Sequence, residues 1–196
     1  MSRHITAADI LPAAEYEARR KALRAQNVAR KRDRRISVGP YVTLFFENRD
    51  TMWMQIHEML RIEKGGPDQI AGELAAYNPL VPKGSELIAT MMIEVEDTDH
   101  RAVMLARLGH VEDRITLAFA GTNAVALPVD PDVERTTPEG KTSAVHFLRF
   151  TLTPAQVAAF RAPGTQVVVG IDHPNYNHLA VLPDAVRQSL AEDLES

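Results

Sequence analysis

The chain has 196 residues, of which 45% are hydrophobic and none is cysteine, and its formal net charge at pH 7 is −4. This length and composition predict one globular domain over residues 1–196. Without cysteine there can be no disulfide, thiol nucleophile, thiolate zinc site or cysteine-ligated iron–sulfur cluster. No apolar run approaches the roughly eighteen residues of a membrane span, and the start MSRHITAADILP does not resemble a signal peptide. We therefore expect a cytoplasmic protein without a membrane partner.

The first long element that the sequence predicts is a basic helix. It follows a short turn at Thr6–Asp9, which has the S/T-x-x-D/E form of a helix start, and it runs from about Ala13 into the low thirties. Few apolar residues accompany its cations, so we expect the helix to bury only a thin stripe. The cations are Arg19, Arg20, Lys21, Arg24, Arg30, Lys31, Arg32, Arg34 and Arg35.

Strands and helices alternate irregularly in the rest of the chain. Strand patterns lie at residues 41–47, 86–96, 114–120, 124–129, 141–150 and 166–172, and helical patterns begin at about residues 50, 68, 98, 154 and 183. The third and fourth strands form a hairpin, and Pro128 is expected to place its second arm at an edge of the sheet. The pattern predicts an α+β fold with a mainly antiparallel sheet flanked by several helices, and not a doubly wound parallel sheet.

Two histidines are predicted on apolar strand faces. Period-two alternation places His146 on the same face as Leu148, and His173 on the same face as Ile171. A buried imidazole needs a hydrogen-bond partner or a metal ion. If the two strands are neighbours, the histidines and two glutamates form a site for iron, manganese or zinc; the alternative is core histidines bonded to a carbonyl or a carboxylate. The candidate metal ligands are His146, His173, Glu58 and Glu94.

Polar residues gather where a strand meets the next helix, at Glu47, Asn48 and Arg49. Free amides at a helix N-terminus favour anions, and an arginine can bind a carboxylate or phosphate through two hydrogen bonds. The sequence therefore predicts a ligand site here. The alternative is helix capping combined with an ion pair between Glu47 and Arg49 or Arg149.

The helical wheel of the following helix places Gln55 and Glu58 at the border of its apolar stripe. It places His57 and Arg61 on the side expected to face solvent. Glu58 and Arg61 are three residues apart, so a surface ion pair between them is the simplest interpretation. The complete set of ligand-binding candidates is Glu47, Asn48, Arg49, Gln55, Glu58, Arg61, Lys141, Arg149, Asp172 and Tyr176.

Five sequence blocks resemble a bacterial family known as domain of unknown function 3501. The blocks are FENRDTMWMQIHEMLR, YNPLVP, ATMMIEVED, KTSAVHFLRF and GIDHPNY, and they occur in the family's order over nearly the whole chain. The resemblance implies an association with rubrerythrin-like proteins and an iron–sulfur oxidoreductase subunit, and so a redox or peroxide-stress setting. The matching positions are Glu47, Asn48, Arg49, Gln55, Glu58, Arg61, Glu94, Lys141, His146, Arg149, Asp172, His173 and Tyr176.

Three functions remain open at this point. The first is an accessory or ligand-binding protein of a redox system, whose basic helix docks an acidic partner. The second is a metal-dependent enzyme in which the two histidines bind the metal and Glu58 or Glu94 acts as a ligand or general base. The third is nucleic-acid binding through the basic helix. It is least favoured, because no aromatic residue lies between positions 19 and 35 to stack on a base, and the chain is acidic.

Overall fold

The computed structural model describes residues 3–195 of the chain. The helices are α1 (Ala13–Arg32), α2 (Arg49–Glu63), α3 (Pro67–Tyr77), α4 (Thr98–Arg107), α5 (Pro154–Arg161) and α6 (Asp184–Ala191). The strands are β1 (Arg35–Val38), β2 (Val42–Glu47), β3 (Glu86–Ile93), β4 (Ile115–Phe119), β5 (Thr122–Pro128), β6 (Val145–Thr151), β7 (Val167–His173) and β8 (Tyr176–Val181).

The strands form one sheet in the order β1-β2-β3-β6-β5-β4-β7-β8. Every neighbouring pair is antiparallel. The predicted α+β class with a mainly antiparallel sheet is therefore confirmed. No helix within residues 3–195 is both long enough and apolar enough to cross a bilayer.

The sheet curls until its two edge strands, β1 and β8, contact each other. Tyr176 at the start of β8 makes this closure, because its hydroxyl donates to the carbonyl of Val38 at 2.7 Å. Gly39 follows with a φ of +70°, and a Cβ there would lie 2.6 Å from the Tyr176 hydroxyl oxygen. A residue without a side chain is thus required where the two edges meet.

The main hydrophobic core fills the concave side of the sheet. It contains alternate residues of the strands, such as Leu44, Met91 and Phe150, together with side chains from α4, α5 and α6. Because the sheet is nearly closed, the concave residues face one another across the interior. His146 and His173 lie on this concave face, and both are buried.

The convex face is covered over only part of its width. Helix α2 places Met52 and Ile56 against Ile88 of β3, where Leu80 and Ile5 complete a second hydrophobic cluster. Strand β3 is therefore buried on both faces, as its two apolar faces predict. On β5 and β8 the convex face stays open, and it exposes Val125, Leu127, Leu179 and Val181.

Helix α1 is held mainly by polar contacts. Tyr16 is its one fully buried residue, which agrees with the predicted thin stripe. Ion pairs join Arg20 to Glu58 and Arg30 to Asp50, and Arg61 of α2 to Glu17, at 2.7–2.8 Å. The basic face is thus partly neutralised by carboxylates of its own chain.

The structure differs from the sequence analysis at five places. Strands β1 and β8 were not expected, since Arg35–Val38 is short and follows a charged run, and residues 175–178 have the polar composition of a turn. Pro128 does not mark an edge: β5 lies between β6 and β4, and Pro128 is its last residue, where a missing N–H costs little. Arg34 is buried, and His57 is also buried, beneath the segment that precedes α1.

Candidate ligand-binding sites

A large cavity lies between α1, α2, the start of α3 and the segment that precedes α1. Its volume is about 730 Å³. Most of its wall is apolar and comes from Leu11, Pro12, Leu60 and Ile70, among others. Pockets of roughly 300–1,000 Å³ with mainly apolar walls and a few polar groups are typical of organic-ligand sites. We call this space the helical cavity.

Glu58 anchors α1 to α2 beside the helical cavity. Its two carboxylate oxygens each accept a hydrogen bond from Arg20 at 2.8 Å, and the hydroxyl of Tyr16 donates a third at 2.5 Å. The hydrogen bonds from Arg20 are the main reason that the pKa of Glu58 falls to about 2. Burial and the hydrogen bond to Glu58 raise the pKa of Tyr16. The expected pair of Glu58 with Arg61 does not form.

His57 forms part of the inner wall of the helical cavity. Its Nδ1 donates to the carbonyl of Trp53 at 2.8 Å, and its Nε2 accepts from the N–H of Leu11 at 3.0 Å. A carbonyl can only accept, so the proton of the neutral ring lies on Nδ1. Burial lowers the pKa of His57. Both nitrogens have hydrogen-bond partners, so a ligand in the cavity can contact His57 only through its ring. The ring also packs against Tyr16 and Trp53.

Charged residues mark the rim of the helical cavity. Arg61 pairs with Glu17 at 2.7 Å, and Lys64 caps the end of α2 in a left-handed conformation, with a φ of 54°. Lys64 forms no ion pair with another residue of the range 3–195. The rim therefore carries one uncompensated positive charge.

A second, smaller cavity of about 240 Å³ lies where β5 separates from β6. His146 and Glu112 are buried at its wall, and Nδ1 of His146 lies 3.6 Å from Oε2 of Glu112. Neither atom has a hydrogen-bond partner among residues 3–195. Arg135 and Asp130 line the same space. We call it the His146 cavity.

The predicted metal ligands do not converge. His146 lies on β6 and His173 on β7, and β5 and β4 separate these strands, so the condition under which the two histidines would share a site is not met. His173 instead donates to the carbonyl of Gly109 and accepts from the N–H of Asn175, each at 3.2 Å. Glu94 is exposed, and Glu58 pairs with Arg20 of α1. Residues 3–195 contain no group of three or more His, Asp or Glu that could hold a metal ion.

The cluster at the start of α2 has structural partners. Asn48 caps the helix by accepting from the N–H of Thr51 at 3.0 Å, and Arg49 pairs with Asp9 at 2.7 Å. Glu47 is buried, and it accepts from the hydroxyls of Thr51 at 2.6 Å and Thr90 at 2.8 Å. Capping is thus as expected in the alternative interpretation, but Glu47 pairs with neither arginine named there. Glu47 also lines, with Gln55, a cavity of about 280 Å³ under α2.

The remaining candidates are dispersed over the sheet. Arg149 lies 3.3 Å from Glu86 of the adjacent strand. Asp172 accepts from Asn177 across the β7–β8 hairpin, and Tyr176 closes the sheet. Lys141 is exposed on the loop before β6. These residues stabilise strand pairing or lie at the surface, and they do not surround a common space.

Sequence reasoning missed the residues that surround Glu58 and His146. Tyr16 and Arg20 lie in a helix whose repeated cations hide which of them points at α2. Glu112 lies in a 3-10 turn, Val111–Arg114, and Arg135 in a polar loop, where no periodicity indicates direction. Their approach to Glu58 and His146 depends on chain crossings that short-range patterns do not encode.

Comparison with known proteins places the chain in a family. A family model described as "Protein of unknown function (DUF3501)" matches residues 4–194. The chain belongs to the DUF3501 family. A solved structure described as a novel protein of unknown function from Burkholderia pseudomallei K96243 is similar to this chain. The two share 42% identity over 97% of this chain and 99% of that one, with a TM-score of 0.90. Among curated proteins there is no significant match.

Proposed function

We propose that this DUF3501 protein is an accessory protein that binds an organic anion with an apolar body in the helical cavity. The observation that carries the proposal is the cavity itself, with about 730 Å³ between three helices and a mainly apolar wall. Water against such a wall is unfavourable, and a ligand that replaces it gains roughly 25 cal/mol for each Å² of apolar surface buried. The translational and rotational freedom that the ligand loses on binding offsets part of this gain.

The charges at the rim support an anionic group on the ligand. The polar atoms of the inner wall, on Tyr16 and His57, already have partners in the protein. Lys64 at the rim has no such partner among the described residues, and Arg61 lies beside it. A carboxylate at the mouth would complete the charge balance, while its apolar chain packs against Leu60 and Ile70.

Calorimetric titration with decanoate and with uncharged decanol tests this proposal. We expect both to bind, and Lys64→Gln to weaken decanoate but not decanol. Ala14→Trp places a ring in the cavity and should abolish binding of both, whereas Ala22→Trp, an exposed position two turns further along α1 and outside the cavity lining, should not. Absence of heat with both compounds, or equal losses in the two tryptophan variants, would contradict the proposal.

The redox or peroxide-stress setting, with rubrerythrin-like or iron–sulfur partners, stays a prediction from the family resemblance. The exposed cations Lys21 and Arg24 of α1 support docking of an acidic partner, because they form no ion pair within the described residues. Reversal of both charges to glutamate should weaken co-purification with the neighbouring rubrerythrin-like protein. The same change at Lys83 and Arg114, exposed elsewhere, is the control. Unchanged co-purification in the first variant would exclude this docking surface.

A further inference from the structure

Glu112 and His146 face each other in the protein without a hydrogen bond between their side chains. Both side chains are buried, with 7% and 1% exposure. Their facing atoms, Oε2 and Nδ1, are 3.6 Å apart, too far for a hydrogen bond, and neither has another partner in the part of the chain that the structure describes. Buried polar atoms without partners are rare in native proteins, because each costs about 1–3 kcal/mol. Two of them facing each other indicate a group that is meant to lie between them.

The other nitrogen of His146 fixes what that group must do. Nε2 lies 2.9 Å from the carbonyl of Ser143 and 3.1 Å from the hydroxyl of Thr142. The carbonyl only accepts, so Nε2 carries a proton and, in the neutral ring, Nδ1 is a bare acceptor facing a carboxylate. Two acceptors repel. A hydroxyl removes the conflict when the pair holds one proton, since it accepts from one member and donates to the other.

Arg135 supplies the second feature of the site. Its guanidinium carbon lies 5.2 Å from the centroid of the Phe147 ring. This guanidinium forms no hydrogen bond or ion pair with another residue of the range 3–195. Stacking on a ring leaves the N–H edge of an arginine free to bind a carboxylate. Burial lowers the pKa of His146, and the charge of nearby Arg135 also acts to lower it.

The size and charge of the cavity limit the ligand. Its 240 Å³ is below the volume of most drug-sized pockets, so the ligand has few non-hydrogen atoms. Glu112 and Asp130 line the space, and Asp113 acts on His146 from the same turn. These carboxylates disfavour a phosphate dianion. A singly charged carboxylate with a neighbouring hydroxyl matches both the arginine and the acid–base pair.

We propose that the His146 cavity binds a small 2-hydroxycarboxylate. The carboxylate pairs with Arg135, and the hydroxyl bridges Nδ1 of His146 and Oε2 of Glu112. This site is separate from the helical cavity, shares no lining residue with it and does not depend on the proposed function. It retains His146 from the predicted site and replaces the other predicted ligands by Glu112 and Arg135.

Titration of protein carrying 15N-labelled histidine tests the site, with glycolate and acetate as probes. Glycolate should shift the Nδ1 resonance of His146 and bind at least about tenfold more tightly than acetate, which lacks the hydroxyl. Arg135→Gln should weaken both probes by about tenfold or more. Arg114→Gln, an exposed arginine beside the same turn, should change neither.

Two substitutions of Glu112 separate the bridging role from packing. Glu112→Met keeps the volume but cannot hydrogen-bond, so it should reduce the preference for glycolate over acetate to near one. Glu112→Gln can still donate to the hydroxyl and should retain most of the preference. No response of His146 to either probe would overturn the proposal, as would a full preference in Glu112→Met. Selective broadening by Mn²⁺ without a glycolate response would also overturn it, in favour of a metal pair.

If Glu112→Met does not fold, Arg135→Gln still decides the proposal. Arg135 is half-buried on a loop, and its side chain is not part of the hydrophobic core. Unchanged glycolate affinity in Arg135→Gln would overturn the assignment of the carboxylate.

Discussion

The hydroxyl of Tyr176 lies 2.7 Å from the carbonyl oxygen of Val38, and this hydrogen bond joins the last strand of the sheet to the first. The Tyr176 hydroxyl oxygen also accepts from the N–H groups of Tyr41 at 2.9 Å and Val42 at 3.1 Å. One phenol thus satisfies three backbone groups at the turn between β1 and β2. Tyr176 was a ligand-binding candidate by sequence, and its observed contacts are those of a residue that closes the sheet.

Tyr176→Phe should destabilise the protein by about 2–4 kcal/mol, because it leaves backbone groups buried without partners. Tyr41→Phe is the matched control. The Tyr41 ring packs on Tyr176 with centroids 6.4 Å apart, and that substitution should change the unfolding free energy by less than about 0.5 kcal/mol. Urea unfolding of both variants measures the difference. Similar losses would show that the phenol network does not hold the two edges together.

Period-two alternation was enough to predict which residues of β2 and β3 share a face, and Leu44 and Met91 lie in the main hydrophobic core. It failed for β1 and β8. In β8 the concave positions hold Tyr176 and His178, while Leu179 faces solvent on the open convex face. An apolar residue that points outward reverses the signal on which the prediction depends.

Candidate sites were predicted less completely than strands. Glu58 was placed at the border of an apolar stripe and His146 on an apolar strand face, but their partners come from other segments: Arg20 from α1 and Glu112 from the turn after α4. Sequence spacing measures distance along the chain, and these contacts depend on how elements cross. The single-domain prediction and the ligand-binding role of the candidates stay predictions.

Glu58→Gln should weaken the attachment of α1 and lower stability by about 1 kcal/mol at pH 7, since the carboxylate is partly exposed and screened. The folded pKa of about 2 is below the ordinary 4.5. This stabilisation is present above pH 4.5 and is lost as pH falls towards 2. The two unfolding free energies should therefore converge in acid. A constant difference from pH 7 to pH 2 would show that packing, and not charge, is responsible.

The buried histidines should make the protein less stable below neutral pH. Burial lowers the pKa of His57 and of His146 below the ordinary value of 6.5. The unfolded chain therefore binds more protons than the folded protein below pH 6.5. The unfolding free energy thus decreases as pH is lowered, by up to about 1.4 kcal/mol per pH unit for each histidine. His57→Gln should reduce this slope between pH 7.5 and 5.5. Parallel curves for the variant and the wild type would contradict the prediction.

Arg34→Met should be among the most destabilising changes outside the hydrophobic core. The Arg34 guanidinium is buried, donates to the carbonyls of Phe46 and Glu47, and pairs with buried Asp193, whose pKa burial raises despite the arginine. Removal of the cation leaves Asp193 uncompensated and should cost about 3–5 kcal/mol, whereas Arg35→Met, on the exposed neighbour, should cost less than about 0.5 kcal/mol. Denaturant unfolding measures both.

The double variant Arg34→Met, Asp193→Leu should recover part of the loss, because the stranded charge is gone. A double variant as unstable as the sum of the two single variants would show that the backbone carbonyls, and not the ion pair, depend on Arg34.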